Sequence, residues 1–145
     1  PERIAATGVA KQLGITDRIL YVGNYENIEE ILPCADLVIQ PSEHESFGLV
    51  PLEAMACEVP VIVTASGGVQ EVVQQGETGY LCEVGDIETM AAHAINIFSD
   101  PEAAKEMGRK GRTHVLQHFQ KNAIVDQYES LYKEVLEMRA ARAKA

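Results

Sequence analysis

Pro41-Ser42-Glu43-His44-Glu45-Ser46-Phe47-Gly48-Leu49-Val50-Pro51-Leu52-Glu53-Ala54-Met55-Ala56-Cys57 is the stretch from which the rest of the chain is read. The apolar run Leu37 to Ile39 before it is short enough for a buried strand, which Pro41 ends. Small and polar residues follow, and Pro51 to Cys57 then reads as a helix with Pro51 in its first turn. That order puts a loop at the carboxyl end of a strand, where open parallel sheets bind their ligands. Gly48 lets a backbone approach a ligand with no Cβ in the way. The N–H groups from Ser46 to Leu49 lead into a helix N-terminus, which favours an anion such as a diphosphate.

Two acids lie in the stretch, Glu45 in the loop and Glu53 at the expected helix start, eight residues apart. From the residues alone two readings stand. In one, Glu53 accepts hydrogen bonds from paired hydroxyls, as on a ribose, and Glu45 faces the same ligand. In the other, Glu53 only complements the helix dipole and Glu45 is a solvated loop charge.

Outward from the loop, helices and strands alternate. Ala5, Val9 and Leu13 share a helical face that Gly14 ends. Arg18 to Val22 is a β-rich run closed by Gly23, and Glu26 to Ala35 a short helix. Val59 to Val63 reads as a strand, Val69 to Gln75 as a helix stopped by Gly76, and Tyr80 to Cys82 as a brief strand. Asp86 is expected to cap a helix with Met90, Ala91, Ala94, Ile95 and Phe98 on one face. Ser99-Asp100-Pro101 restarts the chain into another helix. The last helix spaces Ile124, Tyr128, Leu131, Val135 and Met138 by four and three, and the residues from Arg139 onward are expected to fray.

This alternation predicts an α/β fold, a partial doubly wound (Rossmann-like) parallel sheet flanked by helices. It reads as about four strands, against the roughly six usual of such sheets. The chain opens on a helix and holds no Gly-rich first-turn phosphate loop, so residues 1–145 read as one domain truncated at its N-terminal side.

Bulk properties narrow the function. A chain of 145 residues, 46% apolar and 23% charged, is a globular domain with its own core. A net charge of −10 argues against nucleic acid as the main partner, because phosphate backbones recruit clustered Lys and Arg. Positive charge gathers late, at Arg109 to Arg112 and Arg139 to Lys144, and reads as helix-end and tail charge. There is no signal-peptide pattern and no membrane-length apolar run. Cys34, Cys57 and Cys82 have no close pairing, so they read as reduced, buried thiols in a cytoplasmic protein.

The stretch resembles the E-x7-E signature of retaining, GT-B-fold glycosyltransferases, the large family that includes glycogen and sucrose synthases. Glu45 and Glu53 match its two acids. Ile31 to Val38, Glu53 to Cys57, Val59 to Ile62, Gly67 to Val73 and Gly76 to Leu81 resemble its flanking blocks in order, so the resemblance covers nearly the whole chain. Glu58 stands where such sequences often have Gly, and Gln70 where Pro is usual.

The resemblance implies the C-terminal, donor-binding domain of a GT-B enzyme, with a nucleoside diphosphate sugar, UDP-linked, as ligand. Glu53 would hold the ribose hydroxyls and Glu45 would sit by the transferred sugar, as the residue nearest the chemistry. The backbone of Ser46, Phe47, Gly48 and Leu49 would bind sugar hydroxyls and diphosphate. Gly23 and Asn24 would contact the base or form a plain turn. Gly67 and Gly68 would lie near the ligand or simply permit a tight loop. His44 reads as a solvated histidine, and with no Asp-x-Asp pair no metal or other cofactor is expected. Phe98 and Tyr128 read as packing residues. The resemblance also implies an acceptor-binding domain ahead of this one, and upstream basic residues that neutralise the diphosphate. The isolated chain is therefore expected to be inactive. The rival expectation is a non-catalytic nucleotide-binding module that self-associates through its C-terminal helix.

Overall fold

The computed structural model describes residues 2–142. Its centre is a parallel sheet of β1 (Val38–Gln40), β2 (Val61–Thr64) and β3 (Gly79–Cys82), in the order β1-β2-β3. Val38 pairs with Val61, and Val61 in turn with Gly79. Parallel neighbours need crossovers, and these carry α3 (Leu49–Ala56) between β1 and β2 and α4 (Val69–Val72) between β2 and β3.

β2 is buried along its whole length because helices cover both faces of the sheet. Val61 and Val63 turn toward a core built with Leu52, Met55, Val69 and Val72. Ile62 turns the other way, toward Cys82, Met90, Ile97 and Met107. Each such side chain contributes about 1.5–3 kcal/mol by leaving water.

The second layer is made by α5 (Ile87–Ser99) and α6 (Pro101–His118). Asp86 caps α5 as expected, accepting from the Thr89 N–H at 3.0 Å. Hydrogen bonds from Thr89 hold its carboxyl below the usual carboxylate range. Asp100 caps α6 in the same way through Ala103, 3.0 Å away. α6 packs on α3, and the Arg112 guanidinium donates to the Ala56 carbonyl at 3.0 Å, a cation at the C-terminal end of α3. The Arg109–Arg112 group thus lies within α6, where Arg112 serves a neighbouring helix's end and Arg109 pairs with Glu106 of its own helix at 2.8 Å.

Several expectations are corrected. The Arg18–Val22 run is no strand: Thr16–Arg18 is a 3-10 turn and residues 19–22 are unpaired. β propensity needs a partner edge, and Leu20 and Val22 instead face solvent. The sheet among the described residues therefore has three strands. α4 stops at Val72, since the Gln74 N–H donates to the Thr78 hydroxyl at 2.9 Å and not to a helical carbonyl. The buried face of α5 is Met90 and Ile97, with Ala94 beside them, whereas Ala91, Ile95 and Phe98 are exposed. Cys34 is exposed and Cys57 half-buried, leaving Cys82 alone buried, and the three are free thiols.

α1 (Glu2–Gln12) and the short α2 (Ile28–Ile31) precede the sheet. At the other end α7 (Lys121–Arg142) continues through Arg139, where fraying was expected, while residues 143–145 lie outside the described residues. Tyr128, Leu131 and Val135 on α7 are about half exposed, so Tyr128 is not a core residue. No helix among the described residues is long and apolar enough to cross a membrane.

Candidate functional site

Residues 41–48 leave the carboxyl end of β1 and fold against the loop that leaves the carboxyl end of β2. Four contacts hold the two together. The Thr64 hydroxyl donates to the Ser42 carbonyl. The Ser66 hydroxyl donates to the Glu43 carbonyl at 2.9 Å and accepts from the Glu45 N–H at 3.3 Å. The Gly68 N–H donates to the Ser46 carbonyl at 3.3 Å. Gly67 and Gly68 therefore pack directly on the acid loop.

Within the loop, the Glu45 side chain is half-buried and held at both oxygens. Gln40 Nε2 donates to Oε2 at 2.7 Å, and the Ser46 N–H donates to Oε1 at 3.0 Å.

Gly48 is the N-cap of α3, with φ 102° and ψ 47° and no side-chain cap. That left-handed conformation is strained for any residue with a Cβ, and a Cβ here would also stand 3.1 Å from Val69 Cγ2. With no capping side chain, the N–H groups of Phe47, Gly48, Leu49 and Val50 have no acceptor among the described residues. Together they form an uncapped, electropositive mouth just after Glu45 in the chain.

Glu53 is exposed and is the fifth residue of α3, so the expectation of a first-turn acid is corrected by one turn. Helical side chains lean toward the N-terminus, which carries its carboxylate back toward the same mouth. Phe47 meets Phe119 edge-on, with ring centroids 6.4 Å apart, and is half exposed. Phe47, Leu49 and Leu52 line one side of a groove of about 720 Å³, and Ile124, Tyr128 and Leu131 of α7 line the other.

Gly23 and Asn24 sit in an exposed turn, and no hydrogen bond among the described residues joins that turn to the acid loop. Neighbouring Tyr25 donates to Glu30 at 2.9 Å, which raises its pKa above the ordinary tyrosine value. Glu45, Ser46, Phe47, Gly48 and Leu49 thus run into the start of α3, with Glu53 one turn in, and no hydrogen bond among the described residues links Gly23 or Asn24 to them. The structure adds Gln40, Thr64 and Ser66, which the sequence did not single out. The available signal was polar residues ending the apolar strands β1 and β2.

Residues 6–114 match the family described as Glycosyl transferases group 1. The chain belongs to this family. Among curated relatives, it is 48% identical over 136 residues to the N-acetyl-alpha-D-glucosaminyl L-malate synthase of Bacillus anthracis, covering 94% of this chain and 36% of that protein. Sucrose-phosphate synthase from Thermosynechococcus elongatus superposes with a TM-score of 0.86 at 34% identity, over 94% of this chain and 35% of its own. The Anabaena protein HepE in complex with UDP also gives 0.86, at 25% identity over 90% of this chain and 36% of its own. The same protein in complex with UDP-glucose gives 0.83 at 27% identity, over 89% and 36%.

This group 1 chain thus spans about a third of the length of the relatives it matches. The shared fold is that of GT-B glycosyltransferases, and the matched family region holds both acids and both contacting loops. α7 lies beyond it.

Proposed function

We propose that the chain is the donor-binding part of a retaining glycosyltransferase that moves a sugar from a UDP-linked donor to an acceptor bound elsewhere in the whole protein. The observation that carries this reading is the mouth of open backbone N–H groups at the start of α3, flanked by Glu45 and Glu53. Donors at a helix N-terminus, with no acceptor of their own, suit a diphosphate. They gain strength as charge builds on the departing diphosphate, which is how such a site favours the transition state over the bound donor. Glu53 is the acceptor for the ribose hydroxyls, and Glu45 the acceptor for hydroxyls of the transferred sugar. Support comes from relatives whose structures hold UDP and UDP-glucose. The overall acidity fits a small charged ligand better than a polyanion. The reaction belongs in the cytoplasm, where exposed Cys34 stays reduced.

Calorimetry with UDP and UDP-glucose tests the reading. Both are expected to bind, and Glu53→Ala is expected to remove most of that binding while leaving thermal stability unchanged, since its side chain is exposed. Absence of binding to any nucleotide would overturn it. A coupled assay is expected to find no sugar transfer by the 145 residues alone.

A second reading is favoured by α7, whose half-exposed Tyr128, Leu131 and Val135 make an apolar stripe. Under it the chain self-associates. Sedimentation would then show a dimer that Leu131→Glu dissolves, and a monomer at all concentrations would dismiss it.

A further inference from the structure

We infer that Gln40 is the positioning residue for Glu45, fixing its carboxylate for the sugar of the donor. The inference rests on the donor-site reading above.

Three observations carry it. Gln40 is the last residue of β1, so its backbone is set by the sheet and its side chain starts from a rigid base. Its Nε2 lies 2.7 Å from Glu45 Oε2, a short bond between a neutral donor and a charged acceptor. Its Oε1 is buried and finds no donor among the described residues. A glutamine kept only for structure would have both ends of its amide satisfied, because an orphaned buried acceptor is costly. Here one end is left unpaired while the other grips Glu45. The amide also has one sensible orientation, since its oxygen turned toward the carboxylate would repel it.

The consequence is geometric. With Oε2 held by Gln40 and Oε1 by the Ser46 N–H, the Glu45 carboxylate cannot swing away. Each oxygen keeps a free lone pair, and both are presented together as acceptors for neighbouring hydroxyls. Without Gln40, the side chain regains rotamer freedom that sugar binding must remove again. The diphosphate and ribose contacts at the start of α3 do not pass through this pair.

The test compares Gln40→Met, which keeps the volume and loses the donor, with Gln40→Glu. In calorimetry on the full chain, Gln40→Met is expected to weaken UDP-glucose about tenfold, the worth of one hydrogen bond to a charged group, with UDP itself unchanged. Gln40→Glu places two carboxyls in contact, and these share a proton once the pH falls. Its affinity for UDP-glucose relative to the unsubstituted chain is therefore expected to recover between about pH 8 and pH 5, while that of Gln40→Met does not. If Gln40→Met binds UDP-glucose normally, or loses UDP and UDP-glucose equally, the inference fails. If the unsubstituted chain binds neither ligand, the donor-site reading is the one that fails. The clamp is then decided by the Ser46 amide resonance of the ligand-free chain. A displaced resonance in Gln40→Met upholds the clamp, and an unmoved one refutes it.

Discussion

The carbonyl oxygen of Glu45 lies 1.7 Å from the point where a Cβ on Gly67 would stand. Residues 22 positions apart are thus in backbone contact, and the loop bearing the acid rests on a residue that must have no side chain. Gly67 also has φ +59°, which a Cβ would strain further. Gly67→Ala is expected to push residues 45–46 off their seat. The chain should lose about 1–3 kcal/mol of stability, as overpacking does, and UDP-glucose binding should fall at least about tenfold. Thermal unfolding and calorimetry measure the two effects.

Ser66 holds the same loop by a softer link. Its hydroxyl joins the Glu43 carbonyl to the Glu45 N–H. Ser66→Ala is expected to cost about 1 kcal/mol, because water reaches part of this bridge and replaces some of it. Affinity for UDP-glucose should fall only a few-fold. A loss as large as that of Gly67→Ala would mean that Ser66 touches the ligand directly.

Glu58 is the one non-glycine residue with positive φ among the described residues, at 62°. It ends the turn after α3, at the position where the resembling sequences often carry Gly. A left-handed conformation costs a residue with a Cβ about 1–2 kcal/mol, and glycine's greater freedom in the unfolded chain returns roughly 0.5–1 of it. The ion pair from Glu58 to Arg112, 3.7 Å long and half exposed, contributes little, and Arg112 keeps its bond to Ala56 without it. Glu58→Gly is therefore expected to stabilise the chain by about 0.5 kcal/mol, seen as a higher midpoint in urea at unchanged slope.

His114 sets a pH dependence. Burial lowers its pKa first and neighbouring His118 lowers it further, while the Val72 carbonyl acts the other way. Glu77, Glu106, Arg109 and Lys110 line the cleft it borders. Its folded-state pKa lies below the unfolded value of about 6.5, so the unfolded chain takes up the proton more readily. The stability it contributes is complete above that value and is lost as pH falls through the folded-state pKa. The melting temperature should thus drop on acidification from about pH 7 to pH 5, and by less in His114→Phe. An equal drop in both would assign the effect to other groups.

The local grammar of the chain was legible without any structure. The apolar runs around Val38, Val61 and Tyr80 became the three parallel strands, Asp86 capped the helix that follows it, and Ser99-Asp100-Pro101 opened the next. The E-x7-E stretch and its flanking blocks marked the family and placed six of the expected site residues around one helix N-terminus. Such features are written in neighbouring residues, because propensity, capping and short periodicity act within a few positions.

Contacts between distant residues had no such trace. The Arg18–Val22 run has strand-like residues but no partner edge, and Ile95 and Phe98 have a helical face but nothing covering it. The seating of Glu45 on Gly67, the Ser66 bridge and the hold of Gln40 on Glu45 depend on how the loops after β1 and β2 meet. The sequence by itself determined the family, the order of elements and the two acids. Only the tertiary structure decided what holds the first acid in place, because that depends on two strand ends brought side by side by the sheet.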